Sequence, residues 1–209
     1  MIDPKEVSRY LSEAFPDAKC SLDFHSPFEC LVAVSLSAQT TDEAVNRVTP
    51  ALFAAYPTPK LMGEADIGDV ESKIKSIGLY HNKARNLIAL GQALQERFGG
   101  AVPHTIEELT SLPGVGVKTA SVVLIESFDI PAFPVDTHIS RICKRLGYAK
   151  ESDAAEKIMG KVKKLFDEQE YKDLHHRLIA FGRSVCHAKN PECDKCPFKG
   201  RCRFKAGAR

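Results

Sequence analysis

Four of the seven cysteines lie close together in the last quarter of the chain, with the spacing C-x6-C-x2-C-x5-C. They are Cys186, Cys193, Cys196 and Cys202. The N-terminus is polar and resembles neither a secretory nor a mitochondrial signal, so metal ligation is favoured over disulfides. Four thiolates at this spacing predict an iron–sulfur cluster or a zinc site, although the first gap is longer than in common zinc modules. The isolated cysteines are expected to be buried small hydrophobic residues; they are Cys20, Cys30 and Cys143.

A second candidate site is the glycine-rich segment LPGVGVKTA, residues 112–120. Pro113 and two glycines permit a tight turn between two helices, the second of which is predicted to begin near Val117. The free N–H groups of that helix could bind an anion such as a DNA phosphate. A nucleotide-binding P-loop is excluded because Gly116 and Lys118 are not adjacent and no strand precedes the turn. A purely structural turn between helices stays open.

Lys118 would stand in the first turn of that second helix. Nucleophilic attack on carbon requires a neutral amine, and the positive end of a helix dipole disfavours an ammonium there. A lone lysine is ordinarily a surface charge, so Lys118 becomes a candidate nucleophile only through the motif around it.

Asp136 is predicted to cap a further helix, within the segment PVDTHISR, residues 134–141. A carboxylate held by backbone N–H groups could also stabilise positive charge that develops on a substrate. His138, further along the same helix, is interpreted as a structural hydrogen-bonding residue. Three basic side chains of this helix are candidates for phosphate contacts: Arg141, Lys144 and Arg145.

The elements that would position these residues are nearly all helical. Helix starts are marked by an oxygen-bearing cap residue, usually followed by proline. They are predicted at Asp3-Pro4, Ser26-Pro27, Thr49-Pro50, Thr58-Pro59 and, without proline, at Thr105. Residues 80–98 form a long amphipathic helix that ends at Gly99-Gly100. The apolar run ASVVLI continues a helical pattern, so the sequence predicts an all-α fold.

The distribution of charge limits the kinds of partner that the protein can bind. The 209 residues carry a formal net charge of +2, and no apolar run approaches the roughly 18 residues of a membrane helix. From Arg183 to Arg209, eight Lys or Arg residues occur with only Glu192 and Asp194 as acidic residues. This segment is either a solvated tail or a surface that faces phosphates. We expect a cytoplasmic monomer without a membrane partner.

Together these motifs resemble the endonuclease III superfamily of DNA glycosylases. The likeness rests on the helix–hairpin–helix segment LPGVGVKTA, on the segment VDTH and on the cysteine spacing, and it extends over roughly residues 25–204. It implies two helical domains that flank a DNA-binding cleft. Residues 20–131 would form a helical bundle that carries the hairpin, and residues 1–19 with 132–209 an iron–sulfur domain. We expect a prokaryotic protein that associates with the nucleoid.

The resemblance implies a bifunctional glycosylase/AP lyase of base excision repair. Its partner would be double-stranded DNA that contains oxidised pyrimidines or abasic sites. Lys118 takes the position of the family's catalytic lysine and Asp136 that of its catalytic aspartate. Asp136 would assist deprotonation of Lys118 and stabilise charge at C1′; the amine would form a Schiff base, and loss of a C2′ proton would eliminate the 3′ phosphate. Adenine-mismatch glycosylases of the superfamily lack this lysine, so Lys118 indicates the strand-cutting branch.

The resemblance also assigns a cofactor and DNA contacts. The four clustered cysteines would hold a [4Fe-4S] cluster, with His187 surplus to the ligand set. The cluster would order a basic loop that meets DNA through Lys189 and Arg201, together with Lys195, Lys199 and Arg203. The hairpin residues Gly114, Val115 and Gly116 would grip the DNA backbone, with a monovalent cation bound in the hairpin.

Two further residues are assigned to the lesion by the same resemblance. Gln39, in LSAQTTD, is similar to the residue that enters the vacated base stack, and Leu79, in IGLY, is similar to the one that acts as a wedge. Extrusion of a base leaves a gap that such side chains would fill.

One position departs from the family pattern. Many relatives place arginine directly before the catalytic lysine, whereas this chain has Val117. The phosphate grip would then depend more on the hairpin amides and the basic C-terminal loop. Two alternatives stay open: a superfamily glycosylase of different base specificity, and a non-enzymatic DNA-binding module with a zinc site.

Overall fold

A computed structural model describes residues 1–204. Within this range the regular secondary structure consists of helices alone. The all-α prediction is confirmed for this range, while Lys205 and Arg209 of the basic segment lie outside the described residues. The α-helices are α1 (Pro4–Ala14), α2 (Pro27–Leu36), α3 (Asp42–Ala55), α4 (Pro59–Gly63), α5 (Ile67–Ile74), α6 (Tyr80–Phe98), α7 (Ile106–Thr110), α8 (Val117–Ser127), α9 (Thr137–Leu146), α10 (Ala155–Val162) and α11 (Tyr171–Ser184). Short 3-10 helices span Glu168–Glu170 and Cys193–Lys195. None of the helices in residues 1–204 is long and apolar enough to cross a membrane.

The chain divides into two compact units. The hairpin unit is Ser21–Ile130 and contains α2 to α8. The cysteine unit combines Met1–Cys20 with the chain from Pro131 onward and contains α1 and α9 to α11. The assignment of a DNA-gripping bundle domain and an iron–sulfur domain stays a prediction.

Side-chain caps mark most of the helix starts that the sequence predicts. At each start a side-chain oxygen accepts a hydrogen bond from a backbone N–H group in the first turn, which satisfies one of the donors that the helix leaves unpaired. The cap residues are Asp3, Ser26, Thr58 and Thr105. The predicted long helix is confirmed as α6, which ends at Gly99 with a positive φ of 61°.

The predicted helix start at Thr49-Pro50 is wrong. The helix begins earlier, after Thr41, whose hydroxyl accepts a bond from the Ala44 N–H group at 3.3 Å, and it continues through Pro50. An interior proline costs about 3 kcal/mol. Burial of one apolar side chain contributes about 1.5–3 kcal/mol, and several residues of α3 are buried, so packing outweighs the proline. The apolar ones are Val45, Val48 and Leu52.

In the hairpin unit, close packing fixes α6 against its neighbours. A Cβ atom on Gly91 would lie 2.6 Å from both the Gly63 nitrogen and the Pro59 oxygen, so only glycine permits this approach of α6 to α4. The largely buried α2 contacts both α6 and α8, and α7 packs on α8. The helices α6 and α8 therefore share α2 as a packing partner.

In the cysteine unit, aromatic packing connects the segment that contains the four clustered cysteines to the helices. This cysteine segment comprises residues 186–202. The helices α1 and α9 both pack against α11. Phe181 of α11 and Phe198 of the cysteine segment are almost fully buried. The Tyr10 ring contacts both of them edge-on, with centroid distances of 5.9 Å and 5.4 Å. Phe198 thus anchors the cysteine segment in the core of this unit.

The isolated cysteines behave mostly as expected. Cys30 and Cys143 are buried in the cores of the two units, as the sequence predicts. Cys20 is only half-buried, so the prediction is wrong for this residue.

Candidate functional site

The hairpin joins α7 to α8 through a turn that requires glycine at position 114. Gly114 has a φ of 76°, and a Cβ atom there would lie 3.0 Å from the Asn86 side chain. Val115 is buried, and its N–H group donates to the Leu112 oxygen at 3.2 Å. Val115 therefore anchors the hairpin and offers no free donor. Gly116 precedes α8 without a side-chain cap, which leaves first-turn N–H groups of α8 free.

Lys118 is exposed and is the second residue of α8. Val117, beside it, is 37% exposed, so its side chain is not part of the core. The predicted helix start near Val117 is confirmed. The structure thus presents a lysine next to free backbone donors at the start of a helix.

Only two helices of the hairpin unit, which is described throughout, begin without a side-chain cap. They are α6 and α8, the helices that follow Leu79 and Gly116. The other five helices of this unit each have a side-chain cap, from Ser26, Thr41, Thr58, Asp66 or Thr105. Uncapped starts leave N–H groups that can bind an anion, and both coincide with segments predicted to meet DNA.

Gln39 and Leu79 share an unusual backbone conformation. Their φ angles are 54° and 60°, in the left-handed region that non-glycine residues rarely adopt. Gln39 is exposed, and Leu79 is 58% exposed although it is a large apolar residue. Each such residue costs on the order of 1 kcal/mol or more, and such strain is often found at binding sites.

A buried lysine, which the sequence analysis did not single out, connects these two segments. Lys83 lies in the first turn of α6, and its ammonium donates to the Thr40 hydroxyl at 2.6 Å. Lys83 lies one helical turn after Leu79, and its side chain contacts the residue next to Gln39. The spacing from Leu79 was the only feature of the sequence that pointed to Lys83.

Asp136 caps α9, as predicted. Its carboxylate accepts a hydrogen bond from the Ile139 N–H group at 2.8 Å, and the residue is half-buried. The segment before Asp136 is held by His175, whose Nδ1 donates to the Pro134 oxygen at 3.1 Å. The sequence analysis did not single out this histidine. His175 is buried. Asp136 lies in the cysteine unit and Lys118 in the hairpin unit.

Two of the basic residues on α9 bind within the protein, so the prediction that they contact phosphates is wrong. Arg141 donates to the Cys186 oxygen at 2.8 Å and to the Gly182 oxygen at 3.1 Å. Arg145 is buried, and it donates to the Cys186 sulfur at 3.2 Å and to the His187 oxygen at 2.8 Å. Both arginines therefore hold the start of the cysteine segment.

His138 contacts the same arginine. The Arg141 guanidinium lies 3.1 Å from the His138 Nδ1 atom. Burial lowers the pKa of His138, against the opposing effect of Asp136. A neutral ring can accept this bond at Nδ1, which agrees with the interpretation of His138 as a structural hydrogen-bonding residue.

The four clustered cysteines line one cavity of about 310 Å³. The Cys202 thiol donates to the Arg145 oxygen at 3.2 Å and accepts from the Phe204 N–H group at 3.5 Å. Burial raises the pKa of the Cys196 and Cys202 thiols, so a cation is needed to hold them as thiolates at neutral pH. In residues 1–204 no group of three or more His, Cys, Asp or Glu side chains is arranged to hold a single metal ion.

Most cations of the cysteine segment are paired with carboxylates. Arg201, predicted to meet DNA, donates to both oxygens of Glu6, at 2.9 Å and 2.5 Å. Lys195 is paired with Glu192, and Lys199 is paired with Asp194. Lys189 is exposed and has no ion pair among the described residues. The segment therefore offers less free positive charge than the count of its residues indicates.

Comparison with known proteins assigns the family. Residues 32–168 match the model of the HhH-GPD superfamily of base excision DNA repair proteins. The chain belongs to this superfamily. Endonuclease III of Bacillus subtilis strain 168 is 44% identical over 193 residues, which are 92% of this chain and 88% of the relative. Endonuclease III of Escherichia coli strain K12 is 42% identical over 200 residues, which are 96% and 94% of the two chains.

A solved structure agrees with these relatives. A trapped endonuclease III–DNA covalent intermediate superposes with a TM-score of 0.92 and 42% identity, and the match covers 97% of each chain. The prediction of a base excision repair enzyme of the endonuclease III type is thus confirmed. A non-enzymatic DNA-binding module is not favoured.

Because Val117 is exposed beside the uncapped start of α8, Val117→Arg should add a phosphate contact without disturbing the core. We expect tighter DNA binding and a log–log dependence of affinity on salt that is steeper by about one unit. Binding across a salt series, together with the thermal unfolding midpoint, measures both effects. Exposed Leu61 provides the control, since Leu61→Arg adds the same charge at α4. An unchanged slope in a folded Val117→Arg protein would show that residue 117 points away from DNA.

Proposed function

We propose that this chain is a bifunctional DNA glycosylase and AP lyase that removes oxidised pyrimidines from double-stranded DNA. It then cleaves the abasic site by β-elimination, with Lys118 as the nucleophile and Asp136 as its partner. The observation that carries the proposal is the exposed position of Lys118 in the first turn of the uncapped helix α8. The similar endonuclease III that was trapped in a covalent intermediate with DNA supports it.

The proposed chemistry assigns each step to a residue. The Lys118 amine attacks C1′, and the bond between C1′ and the base breaks as the base leaves. The Asp136 carboxylate opposes the positive charge that develops on the same sugar and takes up a proton from the amine. The C1′–O4′ bond then breaks, O4′ takes up a proton, and the nitrogen loses its remaining proton as it forms a Schiff base with C1′. This Schiff base makes the C2′ proton acidic. Loss of that proton breaks the bond between C3′ and its oxygen, and hydrolysis of the Schiff base releases the 3′ unsaturated aldehyde.

The cap geometry suits Asp136 to this role. Its hydrogen bond with Ile139 N–H fixes the direction of the carboxylate, and the buried His175 holds the segment before it. A charged group that is already oriented loses little free energy to reorganisation during the reaction.

DNA binding is proposed to use backbone donors more than surface cations. Phosphates would bind at the hairpin, where Gly116 leaves the start of α8 uncapped, with Gly114 setting the turn. Lys189 adds an unpaired positive charge, whereas Arg201 is engaged by Glu6. Gln39 and Leu79, which are exposed and held in strained conformations, would fill the gap left by the extruded base.

We also propose that the four cysteines hold a [4Fe-4S] cluster. Their shared cavity of about 310 Å³ has room for a multi-atom group. The spacing C-x6-C-x2-C-x5-C, with its long first gap, also differs from that of common zinc modules. When bound, the cluster would supply four iron–thiolate bonds that hold the segment together.

The proposal includes a monomer that acts in the bacterial cytoplasm at the nucleoid, in line with the bacterial relatives.

The catalytic assignment is tested with Lys118→Ala and Asp136→Asn. Lys118→Ala should abolish the adduct that borohydride traps on abasic DNA, because the nucleophilic amine is gone, while DNA binding persists. Asp136→Asn keeps an oxygen to cap α9 but loses the charge, so it should fold normally and excise bases about 100-fold or more slowly. Lys60→Ala removes an exposed lysine of the same unit as a control. An undiminished adduct in Lys118→Ala would refute the assignment of the nucleophile. Excision measured on a panel of damaged bases would show whether the enzyme prefers bases other than oxidised pyrimidines.

The cofactor assignment is tested by metal analysis. The purified protein should be yellow-brown and contain about four iron atoms per chain. Cys196→Ser should lower the yield of folded protein, since Cys196 is close to the buried anchor Phe198. Cys20→Ser, at a half-buried cysteine outside the cavity, should retain the iron. A colourless, active protein with one zinc atom would overturn the proposal.

The lesion contacts are tested with Leu79→Ala and Gln39→Ala. Base extrusion carries an unstacking cost of a few kcal/mol that is least for a missing base. Both variants should therefore lose about tenfold in excision from duplex DNA and much less in cleavage of a preformed abasic site. Single-turnover rates on the two substrates measure this ratio, with Leu61→Ala as an exposed-leucine control. Equal losses on both substrates would mean that Leu79 and Gln39 are only structural.

A further inference from the structure

Lys83 is a buried cation with an unusual partner. Only 8% of the residue is exposed, and its ammonium donates to the neutral Thr40 hydroxyl at 2.6 Å. Burial lowers the pKa of Lys83. Among the described residues no carboxylate forms an ion pair with it. A buried ammonium without a compensating charge opposes folding, so stability alone does not account for a lysine here.

The hydrogen bonds of Lys83 reach the segments of Gln39 and Leu79, two exposed residues with positive φ angles. Its backbone N–H group donates to the Leu79 oxygen at 3.0 Å, which closes the first turn of α6. Its ammonium holds the Thr40 hydroxyl, which in turn lies 3.4 Å from the Ala38 oxygen. Gln39 stands between Ala38 and Thr40. The backbone of Lys83 is thus fixed one helical turn after Leu79, and its side chain connects that turn to the segment of Gln39.

We propose that Lys83 is a positioning residue that fixes Gln39 and Leu79 relative to each other, so that both side chains enter the duplex together. The inference rests on the proposed function, because it takes these two residues to be the lesion contacts. Two side chains that must fill adjacent spaces in one step lose efficiency if their backbones move independently. Lys83 itself stays beneath the surface and contacts no phosphate.

The sign of the stability change separates this role from a structural one. Lys83→Met keeps an unbranched side chain of similar length and removes the buried charge. If Lys83 only stabilised the fold, the unfolding midpoint and every activity would fall together. If it positions the two segments, the midpoint should stay the same or rise while function at the lesion falls.

The decisive experiment uses Lys83→Met, Thr40→Val and the double variant in the full-length protein. A duplex with one thymine glycol measures excision, and a duplex with a preformed abasic site measures strand cleavage. Each single variant should lose about tenfold in excision and less than about twofold in cleavage. Because both variants remove the same hydrogen bond, the double variant should lose no more than either one. Thr40→Ser keeps the hydroxyl and should recover most of what Thr40→Val loses, and Lys60→Met is the matched lysine control.

A readout that does not depend on catalysis completes the test. In a duplex that carries an uncleavable tetrahydrofuran abasic analogue, an adjacent 2-aminopurine should brighten on binding, as inserted side chains unstack it. Lys83→Met should bind with unchanged salt dependence but lose most of the brightening. A salt slope smaller by about one unit would instead make Lys83 a phosphate contact and overturn the inference.

The outcomes separate this inference from the proposed function. If the wild-type protein forms no borohydride-trapped adduct, the proposed chemistry fails, and the fluorescence still decides the role of Lys83. If the adduct forms and Lys83→Met excises thymine glycol and brightens 2-aminopurine like the wild type, only the positioning role fails. Parallel losses of stability, excision and cleavage would also refute it.

Discussion

The first-turn N–H groups of a helix have no partner within the helix, and the way each helix meets this requirement organises the hairpin unit. Five of its helices begin at a Ser, Thr or Asp cap, which satisfies donors locally and stabilises the helix by roughly 1 kcal/mol. The helices α6 and α8 have no such cap and begin at Leu79 and Gly116. Their donors remain available to an anion, so the unit forgoes local stabilisation where it is proposed to meet DNA.

The surroundings of Lys83 also combine features that reduce the stability of the fold. Two residues with positive φ and a buried ammonium all work against folding, yet they lie within one connected part of the hairpin unit. Packing elsewhere in the unit, such as the close approach of Gly91 to Gly63, offsets these costs. Two segments that are joined by a hydrogen bond can present their side chains in a fixed arrangement, which a flexible loop cannot do.

In the cysteine unit, basic residues hold the cysteine segment in place. Arg141 and Arg145 donate to the main chain at and after Cys186, and Arg201 ties the end of the segment to Glu6 of α1. Phe198 adds an apolar anchor in the core. A cluster bound by the four thiols would therefore form within a segment that already has supports on several sides. Much of the positive charge that looked available for DNA serves this internal role.

The sequence alone determined the features that depend on local chemistry. Cap residues predicted most helix starts, glycines predicted the hairpin and the end of α6, and Asp136 was recognised as a cap, because all of these are decided within a few residues of chain. The motifs also assigned the family correctly. Tertiary structure decided the rest: Pro50 lies inside α3 because burial outweighs its cost, Arg145 turns inward because the cysteine segment packs on α9, and Lys83 meets Thr40, 43 residues away in the chain. A basic side chain looks the same in a sequence whether it faces solvent, a carboxylate or a buried hydroxyl, since its partner is set by packing between distant segments.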